Sequence, residues 1–369
     1  MKIHCNNREG LLSACQLAHG VIKPRDVKPI LRNFKAVAED GRCTLNATDL
    51  ELGIRIDVQG LAIEEPGEAI LPAAKLIDIL RESRDAELTI DADTDRCKVE
   101  GASFYFEMPG ENPTEFPDWP SFNEEKYHEI SAGVLREMIH RTVFAAADDA
   151  TRYSMSGALW EMDGDTAKLV ATDGRRLALA EGIATANGGH STKGQTPVVP
   201  SKAMTLLDRN LTADPEELVK VCLRPNDALF RTGRASIYSR LVEGRFPDYK
   251  QVLPRKQPVH VALPVDPFYA AVRQAAVMTD DDSKRVTFRF EDGKLTLEAQ
   301  GAHAGRSKVE LAVDYDAKPL QINFNPAYLV DMLKVLPEDA ELTLDLIDGG
   351  SPALFRCGTT YLYLVMPLT

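Results

Sequence analysis

The sequence predicts an α+β protein in which one domain is used three times. Two observations lead to this prediction. A helix followed by a strand recurs along the chain in the same order, and the strand segments alternate apolar and polar residues, for example at 294–299 and 341–346. Alternation with a period of two is typical of antiparallel sheets that have one solvated face. Each copy is therefore expected to pack two helices on antiparallel sheets.

The repeat is clearest between the first and third copies. Residues 76–80 (LIDIL) match residues 329–333 (LVDML), and the strands that follow them, at 86–91 and 340–345, also match. A fainter middle copy lies at 199–221. A spacing of roughly 125 residues is too long for a solenoid unit and has the size of a domain.

Each copy is predicted to open with a strand and an amphipathic helix. These first helices are expected from Glu9 to about Val21, from Ala132 to about Ala146 and from Pro267 to about Met278. In the middle one, Leu135, Ile139 and Val143 recur four residues apart, which is the spacing of a buried stripe. One face of the helix should therefore pack, and the other should meet solvent or a partner.

A second helix in each copy is predicted to begin at a proline, namely Pro72, Pro200 or Pro326. Proline is favoured in the first turn, where its missing N–H has no helical partner to lose. Asp-Gly pairs indicate hairpin turns between strands. These pairs begin at Asp163, Asp173, Asp292 and Asp348.

Linkers separate the copies. Residues 116–119 (FPDW) follow the first copy and recur as residues 246–249 (FPDY) after the second. The predicted domains are therefore residues 1–122, 123–253 and 254–369.

Composition excludes several classes of protein. The chain has 369 residues, 44% of them hydrophobic, and its start has no apolar run of the signal-peptide kind. No stretch approaches the ~18 apolar residues of a membrane helix, so we expect a cytoplasmic protein without a membrane partner.

The six cysteines form no Cys-x-x-Cys pair, which favours reduced thiols over a metal site. A net charge of −13 disfavours an ordinary nucleic-acid binder unless basic residues concentrate on one surface.

The sequence contains no catalytic constellation. The seven histidines show no metal-ligand spacing and are interpreted as surface or capping residues. Residues 280–282 and the pair Asp148 and Asp149 could hold a divalent ion, but a solvated loop is the simpler interpretation. No nucleophile or nucleotide-binding motif is present. We predict no catalytic residue, no metal and no cofactor.

Two local features need a more specific interpretation. In residues 171–179 (ATDGRRLAL), a turn leads through two arginines into an apolar strand, which by itself indicates a charged hairpin. Residues 361–369 (YLYLVMPLT) end the sequence on an apolar stretch. Such an end is either a buried last strand or an exposed apolar lip where a partner docks, and the residues alone leave both open.

Five ordered segments resemble the bacterial sliding clamp family, the beta subunits of DNA polymerase III, which are non-catalytic processivity factors of DNA replication. The segments are residues 171–178 (ATDGRRLA), 199–203 (VPSKA), 243–254 (EGRFPDYKQVLP), 325–329 (NPAYL) and 365–368 (VMPL). The resemblance covers the whole chain, including the three repeats.

This resemblance implies a head-to-tail homodimer in which six clamp domains close a ring around double-stranded DNA, with helices lining the hole. A topological link needs only weak, sequence-independent phosphate contact, which removes the conflict with the acidic composition. The implied DNA-contacting residues are Arg25, Arg152 and Tyr153, followed by Lys202, Arg136, Arg273 and Lys284.

The family also has a pocket in which the replicative polymerase, the clamp loader and repair proteins insert short linear peptides. Carried over residue by residue, it consists of Met155, Thr172, Gly174, Arg175, Arg176, Leu177, Pro247, Val252, Ser351, Leu364, Val365, Met366, Pro367 and Leu368. Flexible Met and Leu side chains suit a site that accepts several peptides. Gln251 and Thr369 depart from the family pattern and could shift which peptides bind best.

The implied dimer contact joins Val277 and Met278, at the end of the third domain's first helix, to the first domain of the partner near Phe104. Such a heterologous contact closes because each chain spans half a turn. Two other functions remain open from the residues alone: a metal-dependent acidic hydrolase that uses the aspartates above, and a peptide-binding scaffold that does not bind DNA.

Overall fold

A computed structural model describes residues 1–148, 154–254, 256–279, 284–301 and 305–368. The chain divides into two compact units. The first unit comprises Met1–Val134 and Ala184–Leu241, and the second comprises Leu135–Ile183 and Val242–Thr369. Each unit contains residues of the middle repeat.

Six α-helices lie in the described ranges: α1 (Arg8–His19), α2 (Ala73–Glu82), α3 (Ala132–Thr142), α4 (Ser201–Asn210), α5 (Val265–Ala276) and α6 (Pro326–Leu333). The strands of the first repeat are β1 (Lys2–Cys5), β2 (Phe34–Glu39), β3 (Arg42–Thr48), β4 (Leu52–Val58), β5 (Leu61–Glu65), β6 (Gly67–Leu71), β7 (Leu88–Ala92), β8 (Arg96–Gly101) and β9 (Tyr105–Pro109). The second repeat contributes β10 (Tyr127–Ser131), β11 (Gly157–Asp163), β12 (Thr166–Thr172), β13 (Arg176–Ile183), β14 (Thr185–Asn187), β15 (Val198–Pro200), β16 (Leu218–Leu223), β17 (Asp227–Arg231) and β18 (Ala235–Arg240). The third contributes β19 (Val259–Pro264), β20 (Val286–Glu291), β21 (Lys294–Gly301), β22 (Gly305–Ala312), β23 (Leu320–Phe324), β24 (Glu341–Leu346), β25 (Ala353–Cys357) and β26 (Tyr361–Val365).

The predicted helices are confirmed, with small shifts at their ends. Pro72 and Pro200 lie immediately before α2 and α4, and Pro326 is the first residue of α6. Asn325 caps α6 by accepting a hydrogen bond from the Ala327 N–H. The middle first helix is shorter than expected because Val143–Ala145 forms a 3₁₀ turn. The four Asp-Gly turns all connect paired antiparallel strands.

In the first unit, two antiparallel sheets have the strand orders β5-β1-β7-β8-β9 and β14-β10-β16-β17-β18-β4-β3-β2-β6. The longer sheet crosses from the second repeat into the first, because β18 pairs with β4 over Ala235–Ser239 and Leu52–Ile56. Helix α1 packs against α2 and buries Leu11, Cys15 and Ala18. A layer of helices therefore lies against the sheets of this unit.

The segment predicted as the first linker is fixed to this sheet. Phe116 and Trp119 are buried, and the Trp119 indole stacks on Tyr238 with ring centroids 6.2 Å apart. The Arg55 guanidinium lies 4.4 Å from the centroid of the same indole. Gly53 of β4 leaves room for this ring, because a Cβ atom at that position would lie 2.9 Å from it. The segment connects repeats, but it packs as part of the unit.

The second unit repeats this arrangement. Its sheets contain the runs β11-β12-β13-β26-β25-β24-β19 and β22-β21-β20-β23. Strand β13 of the middle repeat pairs with β26 of the third repeat, which places Leu177 opposite Leu364. Helix α5 packs against α6, and an aromatic core forms around Phe268, Phe288 and Phe355.

Two of the seven histidines differ from the sequence interpretation. His128 and His190 are buried rather than at the surface, and their Nδ1 atoms lie 2.6 Å apart. Strand β10 alternates half-buried and buried positions, and His128 is one of the buried ones, so it points into the interior of the first unit. The Nε2 atom of His190 is 3.2 Å from both the N and O atoms of Leu223. One ring must donate to the other, so this pair is stable only while at least one Nδ1 atom carries no proton.

We expect acid to destabilise the first unit through this pair. Burial lowers the pKa of His190 below its usual value of 6.5, so the unfolded chain binds this proton more readily than the folded one. The contribution of His190 is complete above pH 6.5 and is lost as the pH falls below it. The melting temperature should therefore drop more between pH 7.5 and 5.5 in the wild type than in His190→Gln. His140→Gln, at an exposed position on α3, should keep the wild-type pH dependence, and equal slopes in all three proteins would contradict this expectation.

Candidate functional site

The turn between β12 and β13 is held by a hydrogen-bond network. The Asp173 carboxylate accepts from the N–H groups of Arg175 at 2.8 Å and Arg176 at 3.0 Å. The Thr172 hydroxyl donates to the Arg176 carbonyl at 2.6 Å and accepts from the Gly174 N–H at 3.0 Å. Gly174 has a φ angle of 83°, which favours glycine. The turn thus has one defined conformation with Gly174 and Arg175 exposed.

Arg176 connects this turn to elements far away in sequence. Its guanidinium bonds Asp173 at 3.1 Å, Asp331 of α6 at 2.7 Å and the carbonyl of Phe144 at 2.8 Å. Its side chain is only 11% exposed and stacks 4.7 Å from the Tyr328 ring centroid. Burial lowers the pKa of Arg176, but the electrostatic interaction with Tyr363 and the hydrogen bond to Asp331 outweigh this and raise it above the ordinary value. The guanidinium remains charged and acts as a structural support.

The last residues pass directly beside this turn. The Met366 N–H donates to the Arg175 carbonyl at 2.9 Å, and the Leu368 N–H donates to the Asn323 carbonyl of β23 at 2.8 Å. Leu364 and Val365 are buried in the sheet, whereas Met366 is 40% exposed. The buried last strand is therefore confirmed, and it continues into the partly exposed Met366. The docking of a partner at this exposed residue stays a prediction.

The predicted pocket residues differ in exposure. Thr172, Leu177, Leu364 and Val365 are buried, and Gly174, Arg175, Pro247, Val252 and Met366 are exposed. Met155, Arg176, Ser351, Pro367 and Leu368 are half-buried. Contacts described above join the residues of the 172–177 turn to those of 364–366. Of the remaining members, Met155 precedes β11, Pro247 and Val252 lie in the second linker, Ser351 lies in the β24–β25 loop, and Pro367 and Leu368 follow β26.

The second linker is fixed against β11. Phe246 and Tyr249 are buried, and the Tyr249 hydroxyl donates to Glu161 at 2.8 Å. Lys250 bonds the other oxygen of the same carboxylate at 2.9 Å. Val252 follows this anchor and is 50% exposed. Gln251, which departs from the family pattern, donates to Asp248 at 2.8 Å.

Sequence reasoning did not identify Asp331, Phe144, Tyr328 or Glu161 as supports of this region. The sequence around Asp331 indicates only a polar residue on the surface of a helix. Its counterpart in the first repeat, Asp78, is indeed exposed and pairs with Arg81. No local signal could have distinguished the two aspartates.

Five basic residues of the first unit form a group that is called the basic cluster below. Lys23, Arg25, Lys28 and Arg32 are exposed in the ten residues 23–32 that follow α1. Lys202, at the start of α4, lies near Lys23, because both ammonium groups are 3.0 Å from one oxygen of Asp49. Of these five cations, only Arg25 and Lys202 were selected from the sequence, although four cations in ten residues were a visible signal.

The other predicted DNA-contacting residues lie on separate elements. Arg136 is half-buried on α3, while Arg273 on α5 and Lys284 are exposed. The Arg273 guanidinium lies 5.5 Å from the Tyr269 ring centroid. Arg152 and Tyr153 lie outside the described residues.

The predicted dimer residues lie close to two sheet ends. Val277, just after α5, is 69% exposed, and Met278 lies beside Gly305 at the start of β22. Phe104 is half-buried with its ring centroid 5.5 Å from that of Phe106. Phe106 itself lies on the terminal strand β9 and is 44% exposed, and the sequence reasoning missed it.

The described residues contain no group of three or more His, Cys, Asp or Glu side chains placed to hold a metal ion. Asp148 is exposed, whereas Asp149 and residues 280–282 lie outside the described ranges. All six cysteines are free, and only Cys357 is partly exposed. None of the helices in the described ranges has both the length and the apolar content needed to cross a membrane.

Three repeats of paired helices on antiparallel sheets, joined by sheets that continue from one repeat into the next, define a protein of the three-domain DNA-clamp class. Residues 1–120, 129–248 and 250–368 match, in order, the N-terminal, central and C-terminal domains of the DNA polymerase III beta subunit. The chain therefore belongs to the bacterial sliding clamp family, and it is a non-catalytic protein of DNA replication.

Relatives match over almost the entire chain. The beta sliding clamps of Pseudomonas putida and Caulobacter vibrioides are each 32% identical to it, over 98% of both sequences. The crystal structure of the DNA polymerase III beta subunit from Pseudomonas aeruginosa superposes with a TM-score of 0.90 at 29% identity and full coverage of both chains. A sliding clamp from the same organism bound to griselimycin gives a TM-score of 0.91 at 30% identity, also with full coverage.

Proposed function

We propose that two copies of this chain close a head-to-tail ring around double-stranded DNA and hold the replicative polymerase there for processive synthesis. The observation that carries this proposal is the match of three consecutive clamp domains to the whole chain. Three domains per chain, with predicted limits 1–122, 123–253 and 254–369, would give six in a dimer. As a replication protein, it would act in the cytoplasm.

Two terminal strands support the proposed dimer. Strand β9 ends a sheet of the first unit and carries Tyr105 and Phe106, which are 53% and 44% exposed. Strand β22 ends a sheet of the second unit and lies beside Met278. An open strand edge with apolar side chains tends to pair with another chain. In the proposed ring, β9 of one protomer lies against β22 of its partner, with Val277 and Phe104 at the contact.

The basic cluster of the first unit supports the proposed DNA contact. Its five cations stand out in a chain with a net charge of −13. Phosphate contacts need no base recognition, so a closed ring with a weakly basic lining would stay on DNA and still slide. Arg25 and Lys202 are the leading candidates in the described residues, and Arg136, Arg273 and Lys284 are further candidates. Arg152 and Tyr153 remain assigned by resemblance alone.

The arrangement around Arg176 supports a peptide-docking pocket. Leu177, Leu364 and Val365 are buried apolar residues of this region, and Met366 beside them is exposed. The ion pairs of Arg176 with Asp173 and Asp331 hold the turn in place. In this proposal, linear peptides of the polymerase, the clamp loader and repair proteins use the same fourteen residues in turn. A flexible methionine at the rim would adapt to different peptides.

Retention on circular DNA tests the ring. The chain would be loaded on a nicked plasmid with a bacterial clamp loader and ATP, and separated from free protein by gel filtration. We expect it to remain on the circle at high salt and to be released when the plasmid is cut once. A chain that binds circular and linear DNA with equal lifetimes would contradict encirclement.

A further inference from the structure

Asp49 occupies an unusual position among the cations of the first unit. It lies in the tight turn between β3 and β4, where its side chain is only 3% exposed. Its Oδ1 atom accepts from the N–H groups of Glu51 at 3.1 Å and Leu52 at 2.8 Å. The carboxylate is therefore held in place by the backbone and cannot turn away.

The other oxygen of Asp49 neutralises part of the basic cluster. Lys23 Nζ and Lys202 Nζ each lie 3.0 Å from Oδ2, although they belong to different repeats. Lys202 also lies 3.4 Å from the carbonyl of Val21. Burial raises the pKa of Asp49, but the hydrogen bonds from the two lysines outweigh this and lower it, so the carboxylate is ionised at neutral pH.

Both lysines nevertheless keep much of their surface in solvent. The Lys23 side chain is 53% exposed and that of Lys202 is 47% exposed, so both can also reach an external anion. Arg25, two residues after Lys23, is exposed as well. Two cations that share one buried anion present about one net charge to a phosphate backbone.

We propose that Asp49 is a positioning residue that limits the affinity of this surface for DNA phosphates, by holding Lys23 and Lys202 together and cancelling one of their two charges. The proposal rests on the DNA contact proposed above. A protein that slides benefits from weak phosphate binding, because each additional ion pair with DNA slows its movement. In this role, Asp49 acts against DNA binding although it touches no DNA.

Salt dependence measures the effect. For duplex DNA, the logarithm of the binding constant falls with the logarithm of salt concentration by about 0.9 per phosphate neutralised. Asp49→Asn keeps an oxygen for the two backbone N–H groups but frees one lysine charge. We expect its slope to be steeper by about 0.9, which corresponds to about eightfold tighter binding at 0.1 M salt. The probe is a labelled 30-base-pair duplex titrated by fluorescence anisotropy between 0.05 and 0.2 M NaCl.

The control is Asp57→Asn. Asp57 on β4 pairs with Arg231 at 3.0 Å, so this substitution makes the same change in net charge away from the cluster. It should leave the slope unchanged. If Asp49→Asn gives the wild-type slope or weaker binding, Asp49 is only structural and the inference is wrong.

A second pair of variants applies if Asp49→Asn alone does not fold because Lys23 and Lys202, both 3.0 Å from the Asp49 carboxylate, then repel each other. Lys202→Gln removes that repulsion, so the double variant can be measured. Lys202→Gln should have a slope shallower by about 0.9, and adding Asp49→Asn to it should restore the wild-type slope. Failure of that restoration would also overturn the inference. Failure of the DNA contact itself is a different result: Lys23→Gln, Arg25→Gln and Lys202→Gln combined would then bind the duplex as the wild type does.

Discussion

Replacing Arg176 by alanine is expected to weaken the binding of a partner peptide by at least about tenfold, which is a loss of about 1.4 kcal/mol. Arg176 joins Asp173 of the turn to Asp331 of α6, and its side chain is only 11% exposed. Its removal leaves two carboxylates and the Phe144 carbonyl without this partner. The turn that carries Gly174 and Leu177 would then lose its fixed position beside Met366.

The same substitution should also reduce stability. Breaking a buried ion pair by removing one partner costs about 3 to 5 kcal/mol, and partial exposure of Asp331 should bring the loss to about 3 kcal/mol. The measurements are calorimetric titration with a synthetic polymerase-derived peptide and a thermal melt of the same sample.

Arg224→Ala provides a matched control. Arg224 also bridges two carboxylates, Asp227 at 2.5 Å and Glu124 at 2.9 Å, but it lies in the first unit. This variant should lose stability and keep the wild-type peptide affinity. If Arg176→Ala binds peptide normally, or if both variants lose binding equally, the pocket does not depend on this arginine.

Placing a charge on either proposed dimer surface should open the ring. Phe106→Glu or Val277→Glu would bury a carboxylate against an apolar partner, at a cost comparable to the 2 to 4 kcal/mol of an interface hot spot, or about 30-fold to 1,000-fold in affinity. Both interfaces of a two-chain ring carry the substitution. At micromolar concentration, sedimentation should therefore give the mass of one chain, 40.7 kDa, and retention on circular DNA should be lost.

Ile183→Glu is the control for this experiment. Ile183 is 78% exposed at the end of β13, which is neither of the two terminal strands, so a charge at this position is solvated. It should leave the dimer and the retention on DNA unchanged. Variants at 106 and 277 that both sediment as wild-type dimers would contradict the proposed contact.

The helices, strands and turns could be predicted from the sequence because each depends on interactions between neighbouring residues. A proline at a helix start, an Asp-Gly turn and a period of two each depend on a few neighbouring residues, and the helices and hairpins lie where these signals indicated. The candidate site is different. The bond between Arg176 and Asp331 joins residues 155 positions apart. Only the folded chain brings them together.

The misinterpreted histidines and the overlooked phenylalanine have a related cause. His128 is tolerated in the interior because His190, 62 residues later, satisfies its ring nitrogen. Phenylalanine is usually a core residue, and Phe106 is exposed only because it lies on a terminal strand. Sequence periodicity indicates which residues share a face, but it does not indicate what covers that face.

The continuation of sheets between repeats has a consequence for dissection of the protein. Strand β18 hydrogen-bonds to β4 of the preceding repeat, and β13 hydrogen-bonds to β26 of the following one. A fragment cut at the repeat boundaries would therefore carry newly opened strand edges, and the middle repeat alone would carry two. Open edges promote aggregation. Soluble fragments should instead be sought by keeping each ladder intact, even where this requires joining segments that are distant in sequence.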